Sequence, residues 1–177
     1  AAPPELEFFA YGEDGRLSGR IRLDASRISD ILNAYDEYLL LDVLATSYTD
    51  RTELRLPEIL VRRDELLLVH ASGPRGDEKL RMRTVERGMT MKLGRYLVSG
   101  NVHAPRGVDP FIDFRHRREM VPLTDAVIEF NSPDGPIFEV ADTVVVNRTL
   151  VDWVRPLEAG ATWAEGVYAR PLRPADR

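Results

Sequence analysis

The sequence predicts a mainly β chain with short helices, built as two tandem, similar, β-barrel-like modules followed by an extended C-terminal tail. Three observations lead there. In "RLSGRIRL", Leu17, Ile21 and Leu23 share one parity while Arg20 and Arg22 take the other, the period-two pattern of a strand with one wet face. Turn residues punctuate the apolar runs, as at Asp14-Gly15 and in "NSPDGP". The same order of elements also occurs twice along the chain, and repeats are sought before motifs.

The first module, residues 1–74, opens with a hairpin. "LEFFAY" and "RLSGRIRL" flank a loop carrying Asp14-Gly15, where glycine is expected to supply positive φ. A short helix follows, with Ile28, Ile31, Leu32 and Tyr35 at helical spacing and Ser29 as N-cap. "YLLLDVLATSY" has the β-branched and aromatic content of a strand. "EILVRRDELLLV" reads as two short strands broken at Arg63-Asp64. "HASGPRGDEK" is the linker.

The second module, residues 75–155, repeats these elements. Ser99-Gly100 matches Ser18-Gly19, and "VDPFI" matches "ISDIL". Here Asp109 is the expected N-cap, with Pro110 at the first helical position, where a missing N–H costs nothing. "MVPLTDAVIEF" is the next strand, ended by "NSPDGP". "TVVVNRTLVDWV" matches "EILVRRDELLLV": Ile59, Leu60 and Val61 fall on Val144, Val145 and Val146, Arg63 on Arg148, and Leu68 on Trp153. The register drifts along the chain, which requires small insertions at turns, where they are tolerated. Residues 156–177, "PLEAGATWAEGVYARPLRPADR" after Arg155, show no periodicity and form the tail.

The closing pair "ILVRRDELLLV" and the strand "GRLSGRIRL" resemble the last and second strands of Sm-like barrels, and the pattern also suits SH3-like and PilZ-like barrels. The resemblance covers about half of each repeat. It departs from the Sm pattern in placing the helix inside the module and in lacking a counterpart to the asparagine of the Sm RNA pocket. It implies small, strongly bent barrels.

Composition narrows the function classes. The chain has 177 residues with 44% hydrophobic content and no cysteine. Disulfides, zinc–thiolate sites, iron–sulfur clusters and cysteine nucleophiles are therefore excluded from these residues. No apolar run approaches the ~18 residues of a membrane span. "AAPPELEFF" lacks a signal-peptide pattern, and a start at Ala fits removal of an earlier segment. The net charge of −5 argues against a dedicated nucleic-acid binder.

The chemical candidates are few. His103 and His116 have no metal-ligand spacing, and His70 ends a strand. Asp125 stands within an apolar strand and would need partners if buried. There is no Walker A spacing, dinucleotide fingerprint or G-x-S-x-G elbow. Neither cofactor nor metal nor catalytic residue is expected, and the chain reads as non-enzymatic. The sharpest charge cluster is Arg115, His116, Arg117 and Arg118. Cations at a helix end complement its dipole, and arginine forks also suit carboxylate and phosphate. Lys79, Arg81 and Arg83 alternate with Leu80 and Met82, as on the wet face of a strand. Phe8, Phe9, Phe111, Phe114 and Trp153 fit core positions. Trp163 and Tyr168 lie in the tail beside Arg170 and Arg173, and large aromatics there suit docking.

The expected function is a protein–protein interaction or assembly role, as an accessory subunit of a larger complex held by barrel edges and the tail. The partner-binding residues are Arg115, His116, Arg117, Arg118, Trp163, Tyr168, Arg170 and Arg173. The alternative is a ligand sensor or a nucleic-acid or nucleotide binder using the Arg115–Arg118 cluster. The expected location is cytoplasmic, peripheral to a membrane-bound complex.

Overall fold

The computed structural model describes residues 2–24, 27–71 and 84–157. The protein is mainly β, with one ten-stranded antiparallel sheet and two short helices. The first half contains β1 (Glu5–Tyr11), β2 (Gly15–Arg22), α1 (Ile28–Ala34), β3 (Glu37–Ser47), β4 (Glu53–Arg62), a 3₁₀ turn (Arg63–Glu65) and β5 (Leu68–His70). The second half repeats this order with β6 (Thr84–Leu93), β7 (Tyr96–Pro105), α2 (Pro110–Phe114), β8 (Met120–Ser132), β9 (Gly135–Asn147), a 3₁₀ turn (Arg148–Leu150) and β10 (Trp153–Pro156). The polar pairs Arg63-Asp64 and Asn147-Arg148 stand at these turns, as the sequence predicts.

The two closed barrels do not form. The sheet order is β10-β6-β7-β8-β9-β5-β1-β2-β3-β4. The last strand of each half returns to pair with the first, β5 with β1 and β10 with β6. β5 then turns its other edge to β9, with Leu68 opposite Val146, Val69 opposite Val145 and His70 opposite Val144. β4 therefore never closes on β5, and the halves join side by side. Patterning specified strands and hairpins. It did not specify which fourth strand would meet β5.

The Ser-Gly pairs mark irregularities in the strand register. The β2–β3 register shifts between Ser18 and Arg20, and the β7–β8 register shifts between Ser99 and Asn101. Opposite these glycines, Asp42 and Asp125 both have φ of 49°, the left-handed conformation of a bulge. A Cβ on Gly19 would stand 2.8 Å from the Leu41 carbonyl oxygen, and one on Gly100 would stand 2.9 Å from Leu123 Cβ. Only glycine permits that approach. Gly15 is used differently from the expectation. It lacks positive φ and serves close contact instead, since a Cβ there would fall 2.2 Å from the Thr46 carbonyl oxygen.

The helix starts divide. Asp109 caps α2 as predicted, accepting from the Phe111 amide at 2.9 Å, with Pro110 inside. Ser29 does not cap α1. Arg27 holds that place without a side-chain bond, and Ser29 is buried within the helix.

Two hydrophobic clusters form the core, and each draws on both halves. One gathers Phe8, Ile21, Leu32, Leu40 and Val61 with Met120 and Val145. The other gathers Met91, Val98, Ile128 and Val146 with Tyr11, Tyr48 and Leu68. Phe8 and Phe114 are buried as expected, while Phe9, Phe111 and Trp153 are half-buried.

Candidate functional site

Three places merit attention: the join between the halves, the basic stretch after α2, and the outer edges of the sheet.

The join is rich in polar side chains. Tyr11 Oη donates to Glu139 and lies 2.9 Å from His70 Nε2. Arg16 completes the group at 3.2 Å from Glu139. His70 stands edge-on to the Phe9 ring, 5.2 Å between centroids. Register explains the convergence. β5 covers only Val144–Val146 of β9, so β9 runs on beyond it and Glu139 turns to β1 and β2. Burial lowers the His70 pKa and raises that of Glu139, because both charged forms lose water. Sequence reasoning left His70 as a strand terminus and did not single out Glu139 or Tyr11. The meeting of these three depends on the β5–β9 pairing, and no local spacing signals it.

Nearby, Asn147 is 1% exposed. Its amide donates to the carbonyls of Arg63 at 3.1 Å and Leu66 at 3.2 Å, and it accepts from the Thr149 hydroxyl. Across the same join, Asn33 bonds both the amide and the carbonyl of Met120. Tyr96 Oη reaches the Gly12 carbonyl at 2.7 Å. These contacts hold the halves in one register.

The basic stretch is not a single patch. Arg117 is structural: its guanidinium donates to the His103 carbonyl at 2.5 Å and lies 3.6 Å from Asp113. The carbonyls of Arg117 and Arg118 accept from Arg148 Nε. Arg115, His116 and Arg118 are exposed, and no hydrogen bond or ion pair among the described residues engages their side chains. They follow α2 and lie outside its body, which ends at Phe114.

His103 and Asp125 share no hydrogen bond or ion pair among the described residues. His103 Nε2 lies 2.7 Å from the Thr124 hydroxyl. Asp125 is exposed at its bulge, so the demand for buried partners falls away. Trp163, Tyr168, Arg170 and Arg173, with Lys79, Arg81 and Arg83, lie outside the described residues, as does most of the linker.

The edges are β4 and β10. Among the described residues, no strand pairs the outer side of either. Leu60 on β4 is 64% exposed and its cross-strand neighbour Leu39 is 46% exposed. Leu54, on the same strand, is exposed as well. No helix among the described residues is long and apolar enough to cross a membrane. Comparison with family models, with curated proteins and with solved structures finds no match for this chain.

Proposed function

We propose that the protein is a non-enzymatic interaction or assembly factor that binds protein partners through its sheet edges and C-terminal tail, as an accessory subunit of a larger complex. The observation that carries this reading is the outer edge of β4, unpaired among the described residues, with Leu60 standing in water. An open edge offers backbone donors and acceptors to an added strand, and apolar side chains beside it supply affinity. Glu53, Arg55, Glu58 and Arg62 flank the apolar positions, which limits indiscriminate pairing. The polar cluster at Tyr11, His70 and Glu139 is accounted for by packing, since each member is satisfied by the others.

The test is a native pull-down with mass spectrometry, followed by rebinding of the purified partner. Leu60→Lys and a chain truncated after Leu157 should each weaken the partner's binding while keeping the fold. Unchanged binding by both would remove the reading.

A second reading has its own observation: Arg115, His116 and Arg118 are exposed and unengaged. Two arginines and a histidine in one short segment suit an anionic ligand such as a nucleotide. Replacing these three with Ser, leaving Arg117 in place, should abolish salt-sensitive nucleotide binding.

A further inference from the structure

We infer that the partner of the β4 edge is the β10 edge of a second copy of this chain, joined in the register that β5 and β9 use inside the molecule. The inference rests on the reading of the edges as interaction surfaces and names their occupant.

The internal join is the template. β5 and β10 are equivalent strands, each following a 3₁₀ turn and each paired with the first strand of its half. β9 and β4 are equivalent too, each preceding that turn. Inside the chain, the fifth strand of one half meets the fourth strand of the other. The fourth strand of the first half and the fifth strand of the second are left over. They are the two outer edges of the sheet.

Transferring the register places Trp153 opposite Val61, Val154 opposite Leu60 and Arg155 opposite Ile59 of the next copy. The residue types fit. Val144, Val145 and Val146 are fully buried at the internal join. Their equivalents Ile59, Leu60 and Val61 are all apolar, yet Leu60 is 64% exposed. Leu68 and Val69 are likewise fully buried, while their equivalents Trp153 and Val154 are only half-buried. Val61 is buried in the core and Ile59 packs beside it, so of this triplet it is Leu60 that lacks cover among the described residues.

Charge agrees with the register. Asn147 donates its backbone N–H to the Leu67 carbonyl, and the equivalent residues are Arg62 and Asp152. The two meet as opposite charges across the proposed join, and both are exposed in the single chain. One bond is lost, because Ala71 donates to Thr143 inside the chain whereas Pro156 stands at its equivalent and has no N–H.

The contact is head-to-tail. Among the described residues each copy leaves one β4 edge and one β10 edge unpaired for the next, so association proceeds to a closed ring or an open filament.

The full chain serves for the test, and it has no cysteine of its own. Ile59→Cys and Arg155→Cys are made as single variants and mixed under oxidation. The mixture should give a disulfide dimer in about tenfold greater yield than either variant alone, or than Leu54→Cys mixed with Arg155→Cys. Sedimentation velocity should show mass rising with concentration, and Leu60→Lys should weaken association about tenfold. Monomer at every concentration without the matched cross-link overturns the inference, as does association that Leu60→Lys leaves unchanged. If the chain is monomeric but Leu60→Lys still loses a different protein partner, self-assembly falls and the interaction reading stands. If neither binding responds, both fall.

Discussion

The side-chain amide of Asn147, at the end of β9, donates to the backbone carbonyl of Arg63, at the turn before β5. One buried side chain thereby joins the last residue of a strand in the second half to the 3₁₀ turn of the first. The same amide reaches the Leu66 carbonyl, so it bridges two carbonyl oxygens at that turn, one of which, Arg63, also accepts from the Leu66 N–H.

Asn147→Ala should therefore cost about 1–3 kcal/mol, because the buried Leu66 carbonyl loses its side-chain donor while the Arg63 carbonyl keeps the Leu66 N–H. Urea unfolding measures this directly. Arg62→Ala, at the equivalent place on the exposed edge, should change stability by less than about 0.5 kcal/mol. Similar losses at the two positions would mean that Asn147 does not act through the join.

The bulges make a second prediction. Gly100→Ala pushes a Cβ into Leu123 and the Thr124 carbonyl and should destabilise by about 1–3 kcal/mol. Asp125→Gly should stabilise by about 0.5–1 kcal/mol, since glycine adopts positive φ without the side-chain penalty. Asp125→Val should destabilise for the same reason. Thermal unfolding of the three variants gives the order Gly, wild type, Val at position 125.

Much of this was legible in the sequence. The repeated order of elements, the Asp109-Pro110 helix start and the turns at Arg63 and Arg148 carry local signals, and each appears where it was expected. The single open sheet was not legible. Pairing between β5 and β9 joins segments far apart in the chain, and an apolar strand carries no mark of which edge it will meet. The Tyr11–His70–Glu139 cluster follows from that pairing and was hidden with it. Arg117 and its neighbours read alike in sequence, and only the position of the His103 carbonyl separates the structural arginine from the exposed ones.

His70 should give stability a pH dependence. Burial holds its folded pKa below the ordinary value of about 6.5, so the unfolded chain takes up the proton first. Its contribution is complete above about pH 6.5 and is lost as pH falls through the lower folded value. Glu139 acts in the opposite sense at lower pH. Its raised folded pKa makes stability decline as pH rises out of the carboxylate range. In His70→Gln, the fall in melting temperature just below pH 6.5 should be shallower than in wild type. An identical slope would show that His70 does not titrate differently on folding.

The hydroxyl of Tyr96 offers a smaller test of the join. It donates to the Gly12 carbonyl and lies 3.1 Å from the Tyr48 hydroxyl, and burial raises its pKa far above the ordinary phenol value. Tyr96→Phe keeps the ring contacts with Tyr11 and Phe130 and removes only these bonds. The expected cost is about 1–2 kcal/mol, read from urea unfolding, with no change in secondary structure by circular dichroism. A loss of the fold would place the role of Tyr96 elsewhere.

The account depends on the two halves sharing one sheet through β5 and β9, and amide hydrogen exchange tests that most directly. The Ala71 amide, bonded to the Thr143 carbonyl, and the Asn147 amide, bonded to the Leu67 carbonyl, should be strongly protected. Both should open together, with the protection of both reduced in Asn147→Ala. Rapid exchange at Ala71 and Asn147 while β1–β4 and β6–β9 stay protected would show two separately folded halves and contradict the account.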